Sequence, residues 1–252
     1  SGMDSAKASW TPDRHSALTM AYVANSGHDA PADDLWKNSW LVKFDQRGDE
    51  WAYALIAADA PGRPAFYGAF GQFTLSDAVM LYGEIGSSSV SPNLESSSDP
   101  SVPFTTKKNS PRETTGLVGA SYTFEDGSSL AGEYLHDGHG YTSAQEDAYF
   151  ARAATSPANA GLALGLQPRL LGRNYLHVVW QSNVMDEHGF WRLMYTHSLT
   201  DHGNELSAYA ETVLTRQITA FVTAALPHDN ARQEFANLYR NSVTIDLKFA
   251  LP

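Results

Sequence analysis

Apolar and polar residues alternate with period two in about twelve segments of the chain, lying roughly at 15–24, 36–46, 50–59, 64–75, 77–87, 115–125, 128–137, 174–183, 188–199, 204–214, 216–226 and 240–250. Most run about 10–12 residues, near the ~9–11 that a tilted strand needs to cross a bilayer and well above the ~5–6 usual in globular sheets. Successive side chains of a strand point to opposite faces, so each segment predicts one apolar and one polar face. In the second segment Trp36, Trp40, Val42 and Phe44 oppose Lys37, Ser39, Lys43 and Asp45. In the eighth, Leu176, Val178 and Trp180 oppose His177 and Gln181; in the last, Val243, Ile245, Leu247 and Phe249 oppose Thr244, Asp246 and Lys248. Charges are nearly absent from the apolar faces, where a charge at mid-bilayer would cost about 2–4 kcal/mol.

The links alternate in length. Arg47-Gly48-Asp49, Ser76-Asp77, Asp126-Gly127, Met185-Asp186-Glu187 and the Arg216 region are short. The links of the other phase fall at 25–35, 60–63, 88–114, 138–173, 200–203 and 227–239, and both of the longest are among them. This asymmetry predicts an all-β fold, an antiparallel up-and-down transmembrane β-barrel of about 12 strands. Short turns would form the periplasmic rim, together with both termini, and long loops 88–114 and 138–173 would lie outside. A soluble barrel with its apolar face turned inward has the same alternation; strand length and loop asymmetry favour the membrane form. Residues 1–14 show no strong strand pattern and read as a periplasmic or vector-derived lead-in, leaving 15–252 as a single barrel domain. The pattern also fits the C-terminal part of a larger barrel.

Composition narrows the chemistry. The chain has no cysteine, which excludes a disulfide framework and thiolate metal sites. Its formal net charge of -11 argues against a nucleic-acid partner. A mean hydropathy of -0.33 is compatible with a membrane barrel, whose inner face and loops are polar.

The closing segment Ser242-Val243-Thr244-Ile245-Asp246-Leu247-Lys248-Phe249 is similar to the terminal strand of Gram-negative outer-membrane β-barrel proteins, and the chain as a whole resembles that class in a porin-like form. In the class an aromatic residue usually ends this strand; here Ala250-Leu251-Pro252 follow Phe249. The resemblance implies an outer-membrane location, contact with outer-membrane lipid and lipopolysaccharide, and recognition by the barrel-assembly machinery during biogenesis. It also implies passive diffusion of small polar solutes, without a cofactor.

On this reading the lumen-lining candidates are Lys37, Lys43, Asp45, Glu50, Glu84, Glu133, His177, Arg192, Glu205, Glu211, Asp246 and Lys248, a wall of both signs. Twelve strands lie between small filled barrels and open porins, so an open channel and a plugged barrel with a structural or partner-binding role both remain. The loop 88–114 carries a basic cluster, Lys107, Lys108 and Arg112, able to attract anions. Residues 143–155 read as helical, with Ser143 and Glu146 at capping-box spacing, and the helix would either narrow the barrel mouth or lie on its surface. His136-Asp137-Gly138-His139 raises the alternative of a barrel hydrolase acting on lipid or lipopolysaccharide. Neither a Gly-x-Ser-x-Gly elbow nor a His-Glu-x-x-His helix accompanies it, and no catalytic or metal-ligating set is assigned.

Overall fold

A computed structural model describes residues 4–25, 38–61, 64–89, 94–95, 99, 105–106, 111–155, 170–186, 188–228, 233–238 and 240–249. The strands are β1 (Asp4–Trp10), β2 (Ser16–Asn25), β3 (Ser39–Arg47), β4 (Trp51–Asp59), β5 (Phe66–Thr74), β6 (Val79–Ser88), β7 (Leu94–Glu95), β8 (Thr105–Thr106), β9 (Glu113–Thr123), β10 (Ser129–Asp137), β11 (Asn174–Gln181), β12 (Gly189–Ser198), β13 (Asn204–Thr215), β14 (Ile218–Pro227) and β15 (Ser242–Phe249). Two helices interrupt them: α1 (Ser143–Ala153) before β11 and α2 (Glu234–Leu238) before β15. Every strand except the short β7–β8 pair joins one antiparallel sheet of thirteen strands, ordered as in the sequence. The architecture is therefore all-β and up-and-down, as the alternation predicts.

All twelve expected segments are strands. The thirteenth, β1, lies in the stretch expected to be a lead-in, and it pairs with β2 from Ser5↔Val23 to Trp10↔Leu18. Its alternation is real but weak, because Ala6 and Ala8 stand where other strands carry Leu or Val. The added strand also moves one terminus. Phe249 pairs with Ile218 at the short-turn rim, whereas Asp4 pairs with Asn25 at the long-loop rim. Among the described residues β1 and β15 are not paired with each other, and both are exposed along their whole length.

The exposure pattern inverts that of a soluble barrel. The apolar face is the exposed one: Leu55, Leu81, Ile85, Val118, Val178 and Leu206 all lie open on the sheet's outside. Aromatic residues flank this aliphatic belt. Trp51, Phe73, Tyr122 and Trp180 line the short-turn end, and Tyr22, Trp40, Tyr67 and Tyr195 the loop end. From Tyr67 to Phe73 is about 20 Å of strand at ~3.4 Å per residue. Ring contacts tie the first band together: Trp51 stacks on Tyr53 at 5.6 Å, and Trp180 meets Trp191 edge-on at 5.1 Å. In the register of β2 to β14 the only acid on this face is Asp59, at the loop end of β4.

Short turns hold the register. In the β9–β10 turn Asp126 accepts hydrogen bonds from the Ser128 amide (2.9 Å) and hydroxyl (2.7 Å), which hold its carboxyl below the usual range, the hydroxyl most of all. Gly127 takes φ +80°, a conformation an L side chain resists, and a Cβ there would lie 2.3 Å from Asn183 Nδ2 in the next turn. Gly127→Ala should therefore lower stability by about 1 kcal/mol or more, seen as a lower urea midpoint for refolded protein.

Candidate functional site

The face opposite the apolar one gathers the charged side chains. Strand register places Lys43, Asp45, Glu84, Glu133, His177, Arg192, Glu205, Glu211, Asp246 and Lys248 on it together. Of the remaining candidates, Glu50 sits exposed in the β3–β4 turn, where its carbonyl accepts from the Thr74 amide at 2.7 Å. Lys37 lies outside the described residues, as do Lys107, Lys108 and the apolar run 160–166.

Most of these charges are engaged locally. Lys43 Nζ lies 2.6 Å from Asp45 Oδ1 and 5.4 Å from the centre of the Phe70 ring. Arg192 Nε donates to Gln181 Oε1 at 2.9 Å, with its guanidinium over Phe190. Tyr82 donates to Glu133 Oε1 at 2.6 Å and Tyr209 to Glu211 Oε2 at 2.5 Å, while His177 Nδ1 meets Thr196 Oγ1 at 2.9 Å. The Tyr82 contact depends on a glycine. A Cβ at Gly119 would lie 2.7 Å from the Tyr82 ring, so the ring crosses β9 only because that position is bare. Sequence reasoning missed the other aromatics of this face, Phe66, Phe70, Phe190 and Phe221, whose register partners show where they point.

The buried core lies at the loop rim, not between sheets. Tyr141, Tyr149 and Leu171 form it, with Phe150 and Ala153 against them. Helix α1 starts one residue before the predicted box: Thr142 is the N-cap, and Gln145 Oε1 accepts from its amide at 2.9 Å. That leaves Glu146 to turn inward, where it is 1% exposed. Arg152, fully buried, donates from Nη2 to the Asp99 carbonyl at 2.8 Å, joining the cap to the loop 88–114. Tyr175 and Ser198, which pair on the polar face, are buried beneath this assembly, so the cap folds over that face.

The cap concentrates acids. Glu234 accepts from the Leu171 amide (2.7 Å) and from Tyr175 Oη (2.6 Å), and Asp201 Oδ2 accepts from the Glu234 amide at 2.5 Å. Burial first, then the charge of Asp201, pushes Glu146 up to about 9. Burial raises Glu234 to about 7, opposed by its two hydrogen bonds.

The histidine motif is used structurally. His136 Nδ1 meets Asn174 Oδ1 at 2.8 Å, and His139 Nε2 meets the Ser88 carbonyl at 3.1 Å. Asp137 Oδ1 accepts from Thr115 Oγ1 and the His139 amide, both at 2.9 Å, so it orders the turn and does not orient an imidazole. Arg112, expected in a basic loop cluster, staples strand ends instead: it donates to the Ala65 carbonyl at 2.6 Å and the Ser87 carbonyl at 3.1 Å, over the Tyr67 ring.

No protein-family model and no curated protein matches the chain. Solved structures do. Pseudomonas aeruginosa OprD superposes with a TM-score of 0.54 at 10% identity, over 98% of this chain and 70% of that one. A double mutant of the Rhodopseudomonas blastica porin gives 0.52 at 9% identity, over 96% and 76%. The chain has the porin fold. As in any up-and-down sheet of this type, the porin-fold polar face is built from alternate residues of every strand, so one bulky substitution there perturbs its neighbours across strands. Gly119→Val should displace the Tyr82 ring and break its bond to Glu133 while leaving the strand spectrum intact; near-ultraviolet circular dichroism and the tyrosine side-chain resonances would report it.

Proposed function

We propose that the protein is a channel of the Gram-negative outer membrane for passive diffusion of small polar solutes. The observation that carries this reading is the exposed aliphatic belt between two aromatic bands, set opposite a charged face. Such a belt has no stable partner in water and matches the hydrocarbon layer of a bilayer, with aromatic rows at the two interfaces. The porin fold supports the same reading. Lys43, Asp45, Glu84, Glu133, His177, Arg192, Glu205, Glu211, Asp246 and Lys248 then line the lumen. The cap of α1 narrows the mouth at the loop rim, which is the extracellular one. The outer face contacts lipid and, at the loop rim, lipopolysaccharide; β15 serves the barrel-assembly machinery during insertion.

The lining also sets a charge preference. Asp45, Glu84, Glu133, Glu205, Glu211 and Asp246 outnumber Lys43, Arg192 and Lys248, so the lumen favours cations. Refolded protein in a planar bilayer should give discrete conductance steps, with a reversal potential in a KCl gradient that favours K⁺. The paired substitution Glu84→Gln and Glu133→Gln should reduce that preference. A bilayer that stays silent under protein shown to be folded and inserted would overturn the channel. Val178→Arg, on the outward face, should destabilise the inserted protein by about 2–4 kcal/mol, whereas Thr196→Arg, one strand over and facing inward, should stay within about 1 kcal/mol. Unfolding from lipid vesicles compares the two, and equal effects would remove the basis for a lipid-facing belt.

A further inference from the structure

Three loops bring three carboxylates to one point in the cap. Glu146 comes from α1, Asp201 from the β12–β13 link and Glu234 from α2, and one oxygen from each lies within 4.8 Å of the others. Crowded acids alone have many explanations. The further observation is that both carboxylate oxygens of Glu146 are buried and accept no hydrogen bond, although the residue is 1% exposed. A buried, unpartnered carboxylate is among the most unfavourable groups a fold can contain, and is found where a cation or a proton completes it. No lysine or arginine is paired with any of the three among the described residues.

We propose that Glu146, Asp201 and Glu234 bind a Ca²⁺ ion that cross-links the three loops and locks the cap over the polar face. The donors are all oxygens, which hard divalent cations select. Oxygens gathered within 4.8 Å of one another can close on one divalent cation, and Ca²⁺ takes such flexible, all-protein oxygen cages where Mg²⁺ keeps most of its waters. The partners are already oriented. Glu234 is held by the Leu171 amide and Tyr175 hydroxyl, and Asp201 by the amides of Gly203 (2.9 Å) and Glu234, each oxygen keeping a lone pair free. Glu146 supplies the oxygens that nothing else uses. Thr200 Oγ1 is nearby, since a Cβ on Gly172 would stand 2.8 Å from it and from Glu146 Oε1 alike, but it already accepts from the Arg173 and Asn174 amides.

The test uses the full chain refolded in detergent and stripped with chelator. Calcium titration by calorimetry, and tyrosine-sensitised Tb³⁺ luminescence displaced by Ca²⁺, should show one saturable site. Adding Ca²⁺ should slow proteolytic cleavage of the loops. Glu146→Gln should weaken binding at least tenfold and abolish the protection, and Asp201→Asn should do the same, so that a folding defect in one variant does not decide the outcome. Glu125→Gln, in an exposed turn at the opposite rim, should bind as the parent does. The proposal is overturned if the parent shows no saturable site, or if Glu146→Gln and Asp201→Asn bind Ca²⁺ like the parent. It is equally overturned if Glu146→Gln is protected without Ca²⁺ while the parent ignores the ion, since a shared proton then completes the acids. Conductance is measured separately, so a silent bilayer with intact Ca²⁺ binding would sink the channel and spare the site.

Discussion

Side chains alternate across a strand, so a one-residue slip in any pairing of this sheet would turn an aliphatic row inward and a charged row outward. Everything else depends on that register. The pairings that run through β2 to β14 keep Lys43, Glu84, Glu133 and Arg192 on one face and Leu55, Leu81, Val178 and Leu193 on the other, with bulges confined to β1 and the end of β13. Antiparallel neighbours joined by short turns fix the register locally. Gly127 and Asp126 show how a turn of a few residues can commit two strands at once.

The sheet puts its apolar surface outside, so its own interior cannot supply a hydrophobic core. The packing that a soluble protein would place between layers is instead found at one rim, under α1. That cap is where the chain accepts its least favourable electrostatics. Arg152, Glu146 and Glu234 are buried there and Asp201 partly so, in the same cap as the buried Tyr141, Tyr149, Leu171 and Tyr175. On the polar face, by contrast, most of the charges are paired or hydrogen-bonded while partly exposed, as Lys43 with Asp45 and Tyr82 with Glu133 are, and so avoid the penalty of full burial. One chain therefore uses ionisable groups in two regimes, separated by a few residues along β11.

The legible part of the fold was the part governed by local rules. Twelve strands followed from period-two alternation, and α1 from its composition and spacing. The strand that escaped notice, β1, writes its apolar face with Ala6, Ala8 and a single Trp10, too little apolar volume to stand out until β2 pairs with it. The capping box shifted by a residue for a similar reason: Thr142–Gln145 and Ser143–Glu146 have the same spacing, and only the burial of Glu146 distinguishes them. The histidine motif likewise contained residue types suited to catalysis, and only its partners, Asn174 and Ser88, reveal a structural use.

The amino-acid sequence by itself determined which residues share a face, how long each strand runs and which rim carries the long loops, because periodicity and turn chemistry act over a few residues. Tertiary structure decided which face is exposed. Alternation is symmetric between a barrel with an apolar inside and one with an apolar outside; strand length and loop asymmetry favour the second, and the sheet's three-dimensional course settles the choice. It alone also brought Glu146, Asp201 and Glu234 together. They lie in three different loops, and nothing in the spacing of residues so far apart along the chain encodes a meeting that depends on strand order and on how the cap closes over Tyr175.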